Sequence, residues 1–318
     1  MQYRKIGGTD LDVSAICMGP MRGAARDPEN EAKYELGERA LHRAIDLGVN
    51  FLHTSYEYGT RPMLARILKN HPKRGELHHA IKVPVPNRDP EGRFDPALFR
   101  TYIEDALRDL HAERISVLQY SIRVIPKDDA TRIACLERIV GEVVETFERM
   151  RREGKVGYLM MFPATVPVAR AAIATGKFSG LIGYYGAVEM EMFDVFPELE
   201  RRGMGFLAIR PLWRGLLTDK RPDQASLAAG DRLVGDENKW LFARRAKIVE
   251  TFRAEIGDSM TSFAIRLALA SPLVASVVVG LNTPEQVDEM VAIASEEPLP
   301  AGTLERAYAL WQSGFGLT

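Results

Sequence analysis

Apolar positions along the chain follow two periods that keep trading places. From Glu31 to Leu47, the residues Leu36, Ala40, Leu41, Ala44, Ile45 and Leu47 recur at helical spacing, and Gly48 stands where a left-handed cap is expected. The run Val49-Asn50-Phe51-Leu52 then reads as a short buried strand that delivers His53-Thr54-Ser55-Tyr56-Glu57-Tyr58, closed by Gly59, to a pocket. Upstream, Tyr3 to Ile6, the turn Gly7-Gly8 and Leu11 to Val13 predict a hairpin that runs into a first buried strand, Ile16-Cys17-Met18-Gly19. Downstream, strands are predicted at 79–83, 115–120, 156–161, 181–185, 205–209 and 275–279. Helices are predicted near 62–68, 96–110, 133–152 (ending at Gly154), 166–174, 243–256 and 260–270.

Eight strands, each followed by helix, predict a (β/α)8 TIM barrel with an N-terminal β-hairpin, as one domain over residues 1–318. A doubly wound open sheet would alternate in the same way. No Gly-x-Gly-x-x-Gly follows the first strand, which disfavours that alternative. A barrel also places catalytic residues at the C-terminal ends of several strands, and His53 to Tyr58, Lys82, Ser121 to Arg123 and Arg210 all fall there. The longest expected loop, 217–238, follows strand seven, where it could fold over a ligand.

Composition narrows the partner. The chain carries 42 Lys and Arg against 43 Asp and Glu, with no basic block to mark a nucleic-acid or anionic-membrane surface, so a small molecule is expected. Two cysteines, Cys17 and Cys135, and the absence of an apolar signal core or a membrane-length run point to a reducing cytoplasm. No exposed apolar stripe stands apart from the expected core, and the pattern assigns no oligomeric state. His53, Glu57 and His79 show no diagnostic ligand spacing, so no metal is assigned.

The motifs, taken in order, resemble those of the aldo-keto reductases. The opening GGTDLDVSAICMG is similar to that family's G-x-T-x-L-x-V-S start, and the stretch after VNFL is similar to its D-T-A-x-x-Y-G. Ile81-Lys82-Val83-Pro84, Glu153-Gly154-Lys155-Val156, Arg210-Pro211-Leu212-Trp213-Arg214-Gly215-Leu216-Leu217 and the closing segment from Val277 to Glu289 extend the resemblance over nearly the whole chain. It implies carbonyl reduction by hydride transfer from NADP or NAD, with a tyrosine as proton donor, a lysine lowering its pKa, an aspartate holding the lysine and a histidine orienting the carbonyl.

Tyr58 and Lys82 match the tyrosine and lysine of that tetrad, whereas His53 stands at the aspartate position and Ser121 at the histidine position. An ammonium beside a phenol favours phenolate, and a hydroxyl can still hydrogen-bond a carbonyl oxygen. His53 cannot supply a fixed negative charge, so Lys82 is expected to lack a carboxylate and to titrate below an ordinary lysine. For the cofactor, the resemblance implies Pro211, Leu212, Gly215 and Leu217 in one loop, and Gly280, Gln286 and Glu289 around a helix N-terminus suited to a phosphate. The amide partners of the nicotinamide are replaced by Phe162-Pro163 and Ile182, and Asn282 stands where an arginine often meets the 2′-phosphate, which leaves NAD against NADP open. Glu57, Arg123, Arg210 and Trp213 are the candidate substrate contacts, the arginines for a carboxylate or phosphate and Trp213 for a sugar face.

Three readings follow. The first is an NAD(P)H-dependent oxidoreductase acting on an aldehyde, ketone or sugar. The second is a barrel that has left hydride transfer for isomerisation or elimination next to a carbonyl. The third is a non-catalytic binding barrel.

Overall fold

A computed structural model describes residues 1–19, 31–87, 92–124 and 127–317. Eight parallel strands close a barrel: β3 (Ile16–Met18), β4 (Phe51–Ser55), β5 (His78–Asn87), β6 (Ile115–Arg123), β7 (Val156–Phe162), β8 (Gly180–Tyr184), β9 (Gly205–Ile209) and β10 (Val274–Val279), with β10 pairing back to β3. An antiparallel pair, β1 (Tyr3–Lys5) and β2 (Asp12–Ser14), precedes them. The expected barrel and hairpin are both present.

Side chains on the strands divide by parity. Cys17, Phe51, Ala80, Val117, Met160, Ile182, Leu207 and Ala275 meet inside the ring, where Ile6, Leu11 and Val13 of the hairpin close the N-terminal end beneath them. Their neighbours Leu52, Ile81, Leu118, Met161, Leu181 and Phe206 join the larger cluster that packs against the helices. Where β8 and β9 run closest, a Cβ on Gly180 would lie 2.3 Å from the Gly205 carbonyl oxygen, so only glycine fits.

Element ends differ from the sequence pattern where polar groups decide them. The helix expected from Ile133 begins four residues earlier, at Asp129, because the Asp128 side chain accepts from the Thr131 N–H and caps it. The helix expected over 243–256 runs instead over Lys239–Thr251 and resumes at Arg253–Ile256, with non-helical backbone at Phe252 between them. The helices Phe196–Arg201 and Thr303–Gln312 were absent from the pattern. Among the described residues no helix is long and apolar enough to cross a membrane.

His79 is the one imidazole on an outward-facing strand position that is almost wholly enclosed, at 2 % exposure. Burial, with His78 as the lesser cause, lowers its pKa to about 4. Below the ordinary histidine value near 6.5 the unfolded chain takes up a proton that the folded one refuses, so stability falls as pH drops from about 6.5 to about 4, by about 3 kcal/mol. Urea midpoints measured at pH 7 and pH 4.5 should therefore separate more in the native protein than in His79→Leu. Equal separations would assign the acid sensitivity to other groups.

Candidate active site

The register of three adjacent strands builds the first part of the site. Ser55 lies opposite Lys82, and Lys82 opposite Gln119. His53, Lys82 and Gln119 share the parity of Phe51, Ala80 and Val117, so all three point into the ring, each two residues nearer its C-terminal end than an apolar neighbour on the same strand. His53 Nε2 lies 2.6 Å from Gln119 Oε1, a contact that selects the tautomer with hydrogen on Nε2 in the neutral ring.

After β4 the chain makes a single tight turn, Tyr56–Tyr58. Ser55 Oγ accepts from the Glu57 N–H at its start, and Gly59, at φ 69°, closes it in a conformation that glycine adopts readily. Thr54 and Thr60 hydrogen-bond across its base at 3.0 Å. The turn sends its three side chains to different places. Tyr56 stacks on Tyr102 at 4.4 Å, away from the main cavity, and burial pushes its phenol up to about 12. Tyr58 faces the cavity, with its ring 6.3 Å from that of His53 and its centroid 5.8 Å from Lys82 Nζ.

Glu57, between them, receives both prongs of the Arg123 guanidinium, with Nη2 to Oε2 at 2.7 Å, and its Oε2 lies 3.7 Å from Lys82 Nζ. Burial works against the Arg123 charge, but the Glu57 carboxylate outweighs it and raises the arginine pKa. The expectation that Lys82 lacks a carboxylate is thus corrected. The acid comes from the turn after β4, four residues beyond the strand position where the pattern sought it.

A cavity of about 820 Å³ opens at this end of the barrel. His53, Tyr58, Lys82, Arg210, Pro211, Leu212, Trp213, Gly215, Gly280, Gln286 and Glu289 all lie on its wall. The other candidates do not. Ser121 is buried, its Oγ has no hydrogen-bond partner among the described residues, and it is not on the wall. Leu217 is in the core, and Glu57 and Arg123 pair with each other behind Tyr58 rather than lining the space. The pattern missed Gln119 and Tyr184, while Asp219, Lys220, Arg221 and Arg232 fall in the loop 217–238 that it expected to fold over a ligand without naming them singly. Of the two missed residues, Gln119 carried a signal, as a polar residue at inward parity on a buried strand.

Beyond β9 the backbone is strained. Arg210, Trp213 and Arg214 have φ values of 64°, 42° and 58°, which cost non-glycine residues about 1 kcal/mol or more each. Offsetting contacts hold the segment. The Arg210 guanidinium stacks 3.7 Å over Tyr184 and lies 3.5 Å from Glu189, while Leu216 and Leu217 are fully buried. Burial raises the Glu189 pKa, with Arg210 as the main opposing influence.

The wall fits a nicotinamide dinucleotide unevenly. At the end near β10, Thr283 Oγ1 caps the helix Pro284–Ile293, and Gln286 Oε1 accepts from the Asn282 N–H at 2.8 Å. Asn282 Oδ1 is buried there with no partner among the described residues, an acceptor suited to a ribose hydroxyl or an adenine amine. Lys220, Arg221 and Arg232 add positive charge to the wall, although Arg221 is already paired with Asp231 at 2.8 Å. Near β7 to β9, Phe162, Tyr184 and Ile209 offer faces for a flat ring but no amide for its carboxamide, and Ile182 is buried in the barrel interior.

The model of the Aldo/keto reductase family matches residues 15–311. Among curated relatives, L-galactose dehydrogenase of Arabidopsis thaliana is 25 % identical over 308 residues, covering 93 % of this chain and 89 % of that protein. The oxidoreductase YqkF of Bacillus subtilis is 26 % identical over 310 residues, covering 94 % and 93 %. Similar solved structures include the holo form of aldo-keto reductase AKR11C1 from Bacillus halodurans, with TM-score 0.73, 22 % identity, and 98 % and 96 % of the two chains covered. Glycerol dehydrogenase AKR11B4 from Gluconobacter oxydans has TM-score 0.71 at 22 % identity, covering 99 % and 97 %.

Asp219 fastens the long loop to the start of the helix Met260–Ala268, beside the hold that Arg245 has on the Pro222 carbonyl. Asp219 accepts from Ser259 Oγ at 2.9 Å, the Met260 N–H at 2.7 Å and Thr261 Oγ1 at 2.9 Å. Burial alone would raise its pKa, but these hydrogen bonds lower it overall, so its contribution is present above the ordinary carboxylate range and lost as pH falls through the depressed value. Asp219→Ala should cost about 2 kcal/mol, read as a Tm lower by about 4 °C at pH 7. An unchanged Tm would show that the loop is held by its other contacts.

Proposed function

We propose that this chain, which belongs to the aldo/keto reductase family, is a single-domain NAD(P)H-dependent oxidoreductase that interconverts a small carbonyl compound and its alcohol. The observation that carries this reading is the pairing of Tyr58 and Lys82 on one cavity wall, with Lys82 Nζ 5.8 Å from the phenol ring. When bound, the nicotinamide supplies the hydride in reduction and accepts it in oxidation. Tyr58 then gives its hydroxyl proton to the carbonyl oxygen as the alcohol forms, and takes it back in the reverse direction. An ammonium at Lys82 stabilises the phenolate that this leaves. His53 stands across from Tyr58, but in the neutral ring its N–H is given to Gln119 Oε1, so it does not take over the carbonyl-orienting role that the family gives to the residue Ser121 replaces here.

The substrate is an aldehyde, ketone or sugar. A relative named L-galactose dehydrogenase supports a polyhydroxylated one, as do Trp213, an aromatic face, and Arg210, a planar donor, side by side on the wall. Cys17 and Cys135, both buried and neither in a disulfide, suit a reducing cytoplasm.

A second reading, proton transfer next to a carbonyl without redox chemistry, is favoured by one observation. The wall offers an imidazole, His53, while Phe162 stands where an amide would hold the nicotinamide. Deuterium uptake from D2O into a ketose, with no nicotinamide added, would establish it.

The test of the first reading is titration with NADH and NADPH, followed by nicotinamide fluorescence, and then turnover of an aldehyde and sugar panel. Binding of either cofactor is expected, and Tyr58→Phe should bind it unchanged while kcat falls about 1000-fold. No binding of either cofactor, or full turnover by Tyr58→Phe, would overturn it.

A further inference from the structure

In the family's arrangement a carboxylate steadies the lysine beside the catalytic phenol, and position 53 holds none. Among the described residues, Lys82 lies near the carboxylate of Glu57 and the ring of Tyr58, shares the cavity wall with His53 and a smaller pocket with Tyr56, Arg61 and Tyr102, and meets Arg123 at the end of β6 through Glu57. The only carboxylate in this set is Glu57, whose Oε2 is 3.7 Å from Lys82 Nζ. Its side chain does not wander. Arg123 grips both oxygens in a planar two-point contact, and the turn that carries Glu57 is fastened at Ser55, at Thr54 with Thr60, and at Gly59.

We propose that Glu57 is the positioning carboxylate of Lys82, supplying from the turn after β4 the negative charge that His53 does not carry, and that Arg123 is the clamp that aims it. Neither Glu57 nor Arg123 touches the cavity, so their role is to act through Lys82 on Tyr58 and not to contact substrate. The arrangement divides one carboxylate between two cations. Arg123 takes the strong hydrogen bonds, and Lys82 takes a longer contact from the same Oε2. At that distance the lysine feels the carboxylate's charge while its ammonium stays within 5.8 Å of the centre of the phenol ring. This inference rests on the reductase reading for its catalytic meaning, but the coupling itself can be measured without turnover.

The experiment is acylation of Lys82 by a dilute amine reagent across a pH series, with the modified peptide quantified by mass spectrometry on the full-length protein. Glu57→Gln should move the midpoint of Lys82 labelling down by about one pH unit, because an opposite charge has been removed. If that variant does not fold, Glu57→Asp, which keeps the charge on a shorter arm, should give a smaller downward shift. An unmoved midpoint in whichever variant folds overturns the proposal, even if the enzyme is an active reductase. A moved midpoint without nicotinamide binding upholds the coupling and overturns the reductase reading alone. In turnover, Glu57→Gln should lower kcat with the KM for cofactor unchanged, and shift the pH profile of kcat. The double variant Glu57→Gln with His53→Asp, which returns a carboxylate to the strand position, should recover part of kcat. A purely structural role for Glu57 predicts a lower Tm with no change in the labelling midpoint and no recovery.

Discussion

In a closed ring of parallel strands the side chains alternate between the ring's interior and its outer helical shell, and every part of the site depends on that two-residue period. Phe51, Ala80 and Val117 point into the apolar interior, and two residues further along the same strands His53, Lys82 and Gln119 point into it again at its C-terminal end. A slip of one residue in β4 would drive Leu52 into the interior and His53 into the helical shell. The apolar contacts of Phe51 below and Leu52 behind therefore fix the register that aims the polar residues. The hairpin closes the opposite end with Ile6, Leu11 and Val13, so the interior opens to solvent where the polar residues stand.

Above those residues, turns rather than strands decide what faces the cavity. Tyr56 and Tyr58 lie two residues apart in the same turn. The stacking partner Tyr102 draws Tyr56 outwards, whereas Tyr58 remains beside Lys82. Glu57, between them, is captured by Arg123 from a strand two positions round the ring, a contact between residues 66 apart in sequence. The segment after β9 shows the same principle under greater load. Three non-glycine residues hold left-handed backbone because a stacked guanidinium and buried leucines reward the shape. Strain of this kind, beside a cavity and on one segment, marks a wall whose shape matters more than its local stability.

How much of this was legible in the chain follows from the range of the interactions. Strands, helices and the barrel they imply were readable because they rest on local periodicity and on glycines such as Gly48 and Gly59, which act within a few residues. Helix ends were less so. Asp128 begins a helix by a side-chain cap, which a pattern of apolar positions does not register. Tyr58, Lys82 and the cavity-facing residues of the segments after β9 and β10 were legible as candidates because a family motif spans each of them.

The sequence by itself determined which residues could carry the chemistry, and it determined that position 53 has no carboxylate. Only the tertiary structure decided which carboxylate comes near Lys82, because the approach of Glu57 is set by the register of β4 on β5 and by an arginine from β6. It likewise decided that Ser121 and Leu217 turn away from the cavity while Gln119 and Tyr184 turn towards it. Periodicity assigns a face, but which side chains reach the same point in space depends on strand stagger, turn shape and packing between distant segments.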